Sequence, residues 1–207
     1  MLKRIALELA EHAPFTVLGA VVGIIIMVVI DVSNTPKDIS EAIFYTLHPL
    51  HIVFSALVTT AMYRLHHTKS KLWVAIIIGY TGSIGIATLS DAIIPYLGGS
   101  AMHIQWSFEW PFLSTDTMPF IGIPKWLIVN AAAIIGIALA CWKPVTRLPH
   151  MGHVLLSTWA SLFGFIAFGV ADWISMLPFI FLFLFIAVWI PCCFSDIIYP
   201  LLWIREK

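Results

Sequence analysis

The chain has 207 residues, 60% of them hydrophobic and only 11% charged, with a formal net charge of zero. Its mean hydropathy of +0.97 leaves too little polar side chain to cover a water-soluble domain of this size. Balanced charge provides no basic footprint for a nucleic acid, so composition alone predicts a cell-membrane protein whose first partner is the lipid bilayer.

Six segments are long and apolar enough to cross about 30 Å of hydrocarbon, which takes about 20 residues in a helix. They lie near 13–31, 43–65, 72–96, 124–142, 149–171 and 176–203. Strands of alternating polarity are absent, so the backbone rule for lipid predicts an all-α integral membrane protein with six transmembrane helices. The opening "MLKR" is basic, but the apolar run after it starts late and has the length of a full span, unlike a cleaved signal peptide.

In the first half, Gly19 and Gly23 of span one are spaced to let another helix approach closely. Span two carries "HPLHIVFSALVT" from position 48, which puts His48, His51, Ser55 and Thr59 on one helix face. Span three has glycines at 79, 82 and 85, suited to close packing or a hinge, and ends "SDAIIP" with Ser90, Asp91 and Pro95.

The connection 98–123 is rich in aromatic residues, among them Trp106, Phe108, Trp110 and Phe112, and reads as an interfacial segment. Span four repeats the small-residue spacing at Ala132 and Gly136 and carries Asn130, a polar residue expected to bridge helices. Span five begins "HMGHVLLSTWAS" at position 150, aligning His150, His153, Ser157 and Ser161 as span two aligns its own set. Span six ends "SDIIYP" with Ser195, Asp196 and Pro200, just after Cys192 and Cys193.

The same polar pattern thus occurs twice in the same order, in residues 1–97 and 124–207. Three spans per half is an odd number, so the second half enters the membrane upside down. The expectation is an inverted-topology repeat with a two-fold axis in the membrane plane. Nine of the eleven lysines and arginines fall on one side of the six spans, leaving Lys37 and Lys125 on the other. Both termini are therefore expected in the cytoplasm.

Ionisable side chains at membrane depth are costly and face a cavity or each other. Two imidazoles at i and i+3 facing a carboxylate from the next helix make an N/N/O set for a divalent metal ion: zinc first, with iron or manganese also fitting. The expected metal residues are His48, His51 and Asp91 toward the outer side, and His150, His153 and Asp196 toward the inner side. Ser55, Thr59, Ser90, Ser157, Ser161 and Ser195 are candidate supporting partners or path residues. Cys192 and Cys193 belong with them as weaker candidates, because Thr88 stands where Cys193 does and so no thiolate is obligatory. The three cysteines do not form an extracellular disulfide pattern.

The function expected is secondary transport of a small ion, most naturally a transition-metal cation, by alternating access. One alternative is an intramembrane zinc hydrolase acting on a lipid, and another is a haem or quinone electron carrier. No G-x-S-x-G, P-loop or H-E-x-x-H element is present to favour a soluble-enzyme chemistry. A homodimer is compatible with the pattern, and the cargo is not encoded in it.

Overall fold

The computed structural model describes residues 37–67, 71–89, 93–101, 112–118, 121–168 and 190–204, together with scattered positions between 6 and 29 and Leu182, Ile186 and Val188. Five helices stand out: α1 (Lys37–His66), α2 (Leu72–Thr88), α3 (Ile94–Ala101), α4 (Lys125–Trp142) and α5 (Arg147–Phe168). A sixth, α6 (Ile190–Leu202), is apolar and contains a π-helical turn over Phe194–Ile198. The described positions between 6 and 29 are helical as well. No strand forms among the described residues, where β pairing amounts to an isolated bridge between Thr117 and Pro124. The all-helical expectation is met.

Helix α1 occupies the centre, packed against α5, α4 and α2. The side of α4 turned inward is made mostly of small residues, Ala132, Ala133, Gly136 and Ala140, joined by Val129 and Ile137. Its large apolar residues Trp126, Leu127, Ile134, Ile135, Leu139 and Trp142 point outward, as do Leu72, Trp73, Ile76 and Ile77 of α2. Meanwhile His48, His51, Ser55, Thr59, His150, His153, Ser157 and Asp196 are buried. Apolar bulk outside and polar groups inside reverse the order that water imposes, and suit a helix bundle in lipid.

Close approach explains the glycines. A Cβ on Gly136 would lie 2.3 Å from the Val53 carbonyl oxygen and 2.8 Å from the Ala56 methyl. At Gly19 it would meet Leu155 and Thr158 at 3.4 and 3.3 Å. Because backbone cannot yield as a side chain can, Gly136→Ala is expected to destabilise the bundle by about 1–3 kcal/mol through overpacking. Gly85→Ala, with nothing described within 4 Å, is expected to be neutral or slightly stabilising. Thermal unfolding of both variants in detergent checks the pair; equal midpoints would contradict this packing.

The ends of α4 are tied to their surroundings. Its first N–H groups are taken by the connection, Lys125 N–H donating to the Asp116 carbonyl at 2.8 Å and Trp126 N–H to that of Ser114 at 3.2 Å. Gly122, at φ 68°, provides the left-handed turn that brings this segment back. At the other end the Arg64 guanidinium donates to the Ala140 and Cys141 carbonyls at 3.1 and 2.5 Å. Asn130 bridges as expected: its amide nitrogen donates to the Phe112 and Trp126 carbonyls, and its oxygen accepts from the Tyr80 hydroxyl of α2. Asp116 is exposed, with the Lys125 ammonium 4.0 Å away.

Two helical stretches among the described residues, Ile39–His66 and Lys125–Trp142, are long and apolar enough to cross a bilayer. The other expected spans are not established in this way. Those at 13–31, 149–171 and 176–203 run into positions outside the described residues. The one at 72–96 also crosses positions outside the described residues, 90–92, between π-helical Leu89 and Ile93, and is α-helical again from Ile94.

Candidate metal centre

The site is assembled from three helices. On α1 the spacing of three, four and four residues stacks His48, His51, Ser55 and Thr59 along one face, and all four are buried. On α5 the same spacing aligns His150, His153, Ser157 and Ser161, also buried. Each histidine pair has a proline beside it: Pro49 lies inside α1, and Pro149 lies in the first turn of α5. Pro49 has no N–H to give to the helix ladder, which loosens α1 at the height of the imidazoles. The third element is the π turn of α6, closed by the Tyr199 N–H donating to the Phe194 carbonyl. The inserted residue lets Ser195, Asp196 and Ile197 all lie buried in succession, and such turns recur at functional positions.

Asp196 is the hub. Its Oδ2 lies 2.6 Å from His150 Nδ1 and 2.7 Å from His153 Nδ1. A carboxylate only accepts, so each imidazole presents Nδ1–H to it and turns Nε2 outward. The other oxygen, Oδ1, receives the hydroxyls of Ser55 at 3.5 Å and Thr59 at 3.4 Å. Ser195 Oγ sits 3.2 Å from both hydroxyls and donates to the Gly82 carbonyl at 3.2 Å. Thr59 Oγ1 lies at the same distance from the Ser195 carbonyl. Gly82 permits this closeness, since a Cβ there would come within 2.7 Å of Thr59 Cγ2 and 3.1 Å of the Tyr199 ring.

The imidazoles form a row. His51 stacks on His153 with ring centroids 5.3 Å apart and planes 18° from parallel. His48 meets His51 edge-on at 5.3 Å, and the Phe44 ring stacks on His48 at 5.4 Å. His150 and His153 are 6.4 Å apart and nearly perpendicular, with both Nδ1 atoms directed at the same oxygen.

No family model, characterised protein or solved structure matches this chain. Chemistry must therefore come from the site itself. Ligand atoms of His150, His153 and Asp196 lie within 4.8 Å of one another, all three residues are buried, and the group has the donors to hold a divalent metal ion. Two neutral imidazoles and one carboxylate suit zinc, iron(II), manganese, cobalt or nickel. Around one ion at bond lengths of about 2.0–2.2 Å the donors would stand about 3.3 Å apart. The spacing of 2.6 and 2.7 Å is that of hydrogen bonds, so binding requires the rings to open slightly or to turn Nε2 to the ion. In the second arrangement Asp196 orients the rings from behind, as carboxylates do for metal-bound histidines.

Most of the sequence candidates lie among the described residues. His150 and His153 meet Asp196 as expected. Ser55 and Thr59 belong to the first half of the sequence yet hold the carboxylate of the second half. His48 and His51 do not form a cluster remote from the other pair, because the row joins them to it. Cys192 is buried in an apolar cluster with Val154 and Val188, and Cys193 is likewise buried. Ser90 and Asp91 lie outside the described residues. Two contributors were not foreseen. The Gly82 carbonyl could have been suspected from its glycine run; Phe44 carried no signal beyond its spacing of four from His48.

Proposed function

We propose that the chain is a six-span membrane transporter that moves a divalent transition-metal cation by alternating access through the His/Asp cluster. One observation carries this reading: a buried carboxylate holds two imidazoles and two hydroxyls from facing helices, inside a bundle whose large apolar residues point outward. Ionisable clusters in such a place mark ion pathways.

The six spans rest on hydropathy and on the one-sided distribution of lysine and arginine. The inverted repeat has two supports beyond the sequence pattern. When His48 and His51 are aligned with His150 and His153, Val53 and Ala56 correspond to Leu155 and Thr158. Gly136 packs on the first pair and Gly19 on the second. This matches Gly19 with Gly136, one helical turn from the sequence match of Gly19 with Ala132. Secondly, π-helical residues flank both Ser-Asp pairs: Leu89 and Ile93 about Ser90-Asp91, and Phe194 and Ile198 about Ser195-Asp196. Asp91 is then the first-half counterpart of Asp196, with His48 and His51 as its imidazoles. Two related half-sites on either side of a two-fold axis are what alternating access needs.

Reconstitution tests this. Liposomes containing the protein and an internal metal-sensitive dye should take up at least one of zinc, manganese, iron(II), cobalt and nickel faster than empty liposomes. Uptake of none of the five would contradict transport. The joining of all four imidazoles into one row also favours a second reading, an intramembrane metal hydrolase with a single centre. Metal-dependent release of fatty acid from a lipid ester, without metal flux, would decide for it. A Soret band in the purified protein would decide for a haem carrier.

A further inference from the structure

We propose that His51 carries the cation across the crossing of α1 and α5, from the His150/His153/Asp196 group into a second chamber lined by His48, Ser157 and Ser161. This rests on the transport reading and specifies its path.

Helix direction comes first. His51 pairs with His153, and Phe54 packs on Gly152 at 3.4 Å. Farther along α1, Ser55 and Thr59 reach the Asp196 that also holds His150. Advancing along α1 thus means going back along α5, so the two helices run antiparallel. On the far side of the His51–His153 stack, the His48 end of α1 must therefore lie alongside the Ser157 and Ser161 end of α5.

The second observation is a hydroxyl. Ser157 is fully buried, and its Oγ has no hydrogen-bond partner among the described residues. A buried hydroxyl left unmatched is costly, and it is retained where a ligand or water visits. Ser157 stands one turn beyond His153 on the same face, as Ser55 stands one turn beyond His51. Ser55 serves the Asp196 chamber, which makes Ser157 the matching lining residue of the other.

His51 is fully buried with its ring parallel to that of His153. A cation on His153 is therefore within one side-chain rotation of the next imidazole. The step is a ligand exchange: one metal–nitrogen bond to His153 breaks as one to His51 forms, with no electron or proton transfer required. The Phe44 ring over His48 marks the far end of the row.

The variants that test this are His51→Phe, which keeps a stacking ring and deletes both nitrogens, and Ser157→Ala, which removes one oxygen. Both are made in the full chain and reconstituted, with zinc as the probe. For His51→Phe, zinc affinity of the His150/His153/Asp196 group should stay within about twofold of wild type while zinc flux falls by at least about 10-fold, the lower end of the effect of losing a metal's supporting partner. Ser157→Ala should reduce flux with zinc content unchanged. Wild-type flux in either variant overturns the path and leaves the metal site standing. Loss of bound zinc in His51→Phe also overturns it, by making His51 a ligand of the first site. Failure of the wild-type protein to move zinc or any other metal of the panel sinks the transport reading itself, a result separate from either variant.

Discussion

Asp196→Asn is expected to weaken divalent-metal binding by at least about 100-fold, the upper end of the cost of removing a supporting partner, while the fold persists. The reason lies in how its two oxygens are used. Oδ2 accepts from two imidazole Nδ1 atoms and Oδ1 from two hydroxyls. An asparagine can keep its oxygen toward the imidazoles and turn its amide toward Ser55 and Thr59, whose hydroxyls can rotate to accept. Packing is preserved and the negative charge is gone, so the metal loses its anionic partner. Asp196→Ala differs: two Nδ1–H groups lose their acceptor in a buried site, at about 1–3 kcal/mol each. Calorimetric titration of zinc into both variants, with unfolding midpoints measured alongside, separates the effects. Wild-type affinity in Asp196→Asn would mean that the carboxylate only organises the helices.

Asp91→Asn is expected to abolish metal flux as completely as Asp196→Asn does. In alternating access each half-site is visited in every cycle, so disabling either stops turnover. Asp91 lies outside the described residues, and its role rests on the repeated Ser-Asp-(three residues)-Pro pattern and the π-helical residues flanking both copies. The diagnostic difference is at equilibrium: Asp91→Asn should retain metal on His150, His153 and Asp196, whereas Asp196→Asn should not. Normal flux in Asp91→Asn would remove the functional meaning of the repeat.

Much of the site was legible because helix periodicity converts spacing into a face. His48, His51, Ser55 and Thr59 could be placed together from their numbers alone, as could His150, His153, Ser157 and Ser161. The meeting of Asp196 with His150 and His153 followed from matching two polar patterns in order. That the hydroxyls of one stripe serve the carboxylate of the other half could not be read, because it depends on where α1 crosses α5. That crossing, at His51 and His153, brings first-half hydroxyls onto the second-half aspartate and merges two expected clusters into one row. Glycine register was also hidden. Gly19 and Ala132 match by spacing, but contact geometry matches Gly19 with Gly136, since small residues four apart offer a helix two equivalent seats. The π turn at Phe194–Ile198 depends on packing around Ser195 and Asp196, and no local residue preference announces it.

The most direct test is X-ray absorption spectroscopy on the purified, zinc-loaded protein. Metal on His150, His153 and Asp196 should give a shell of nitrogen and oxygen at about 2.0–2.2 Å with imidazole scattering from two rings and no sulfur at about 2.3 Å. That signature should disappear in Asp196→Asn. A sulfur shell from Cys192 or Cys193, or a protein that retains no metal at all, would contradict the account.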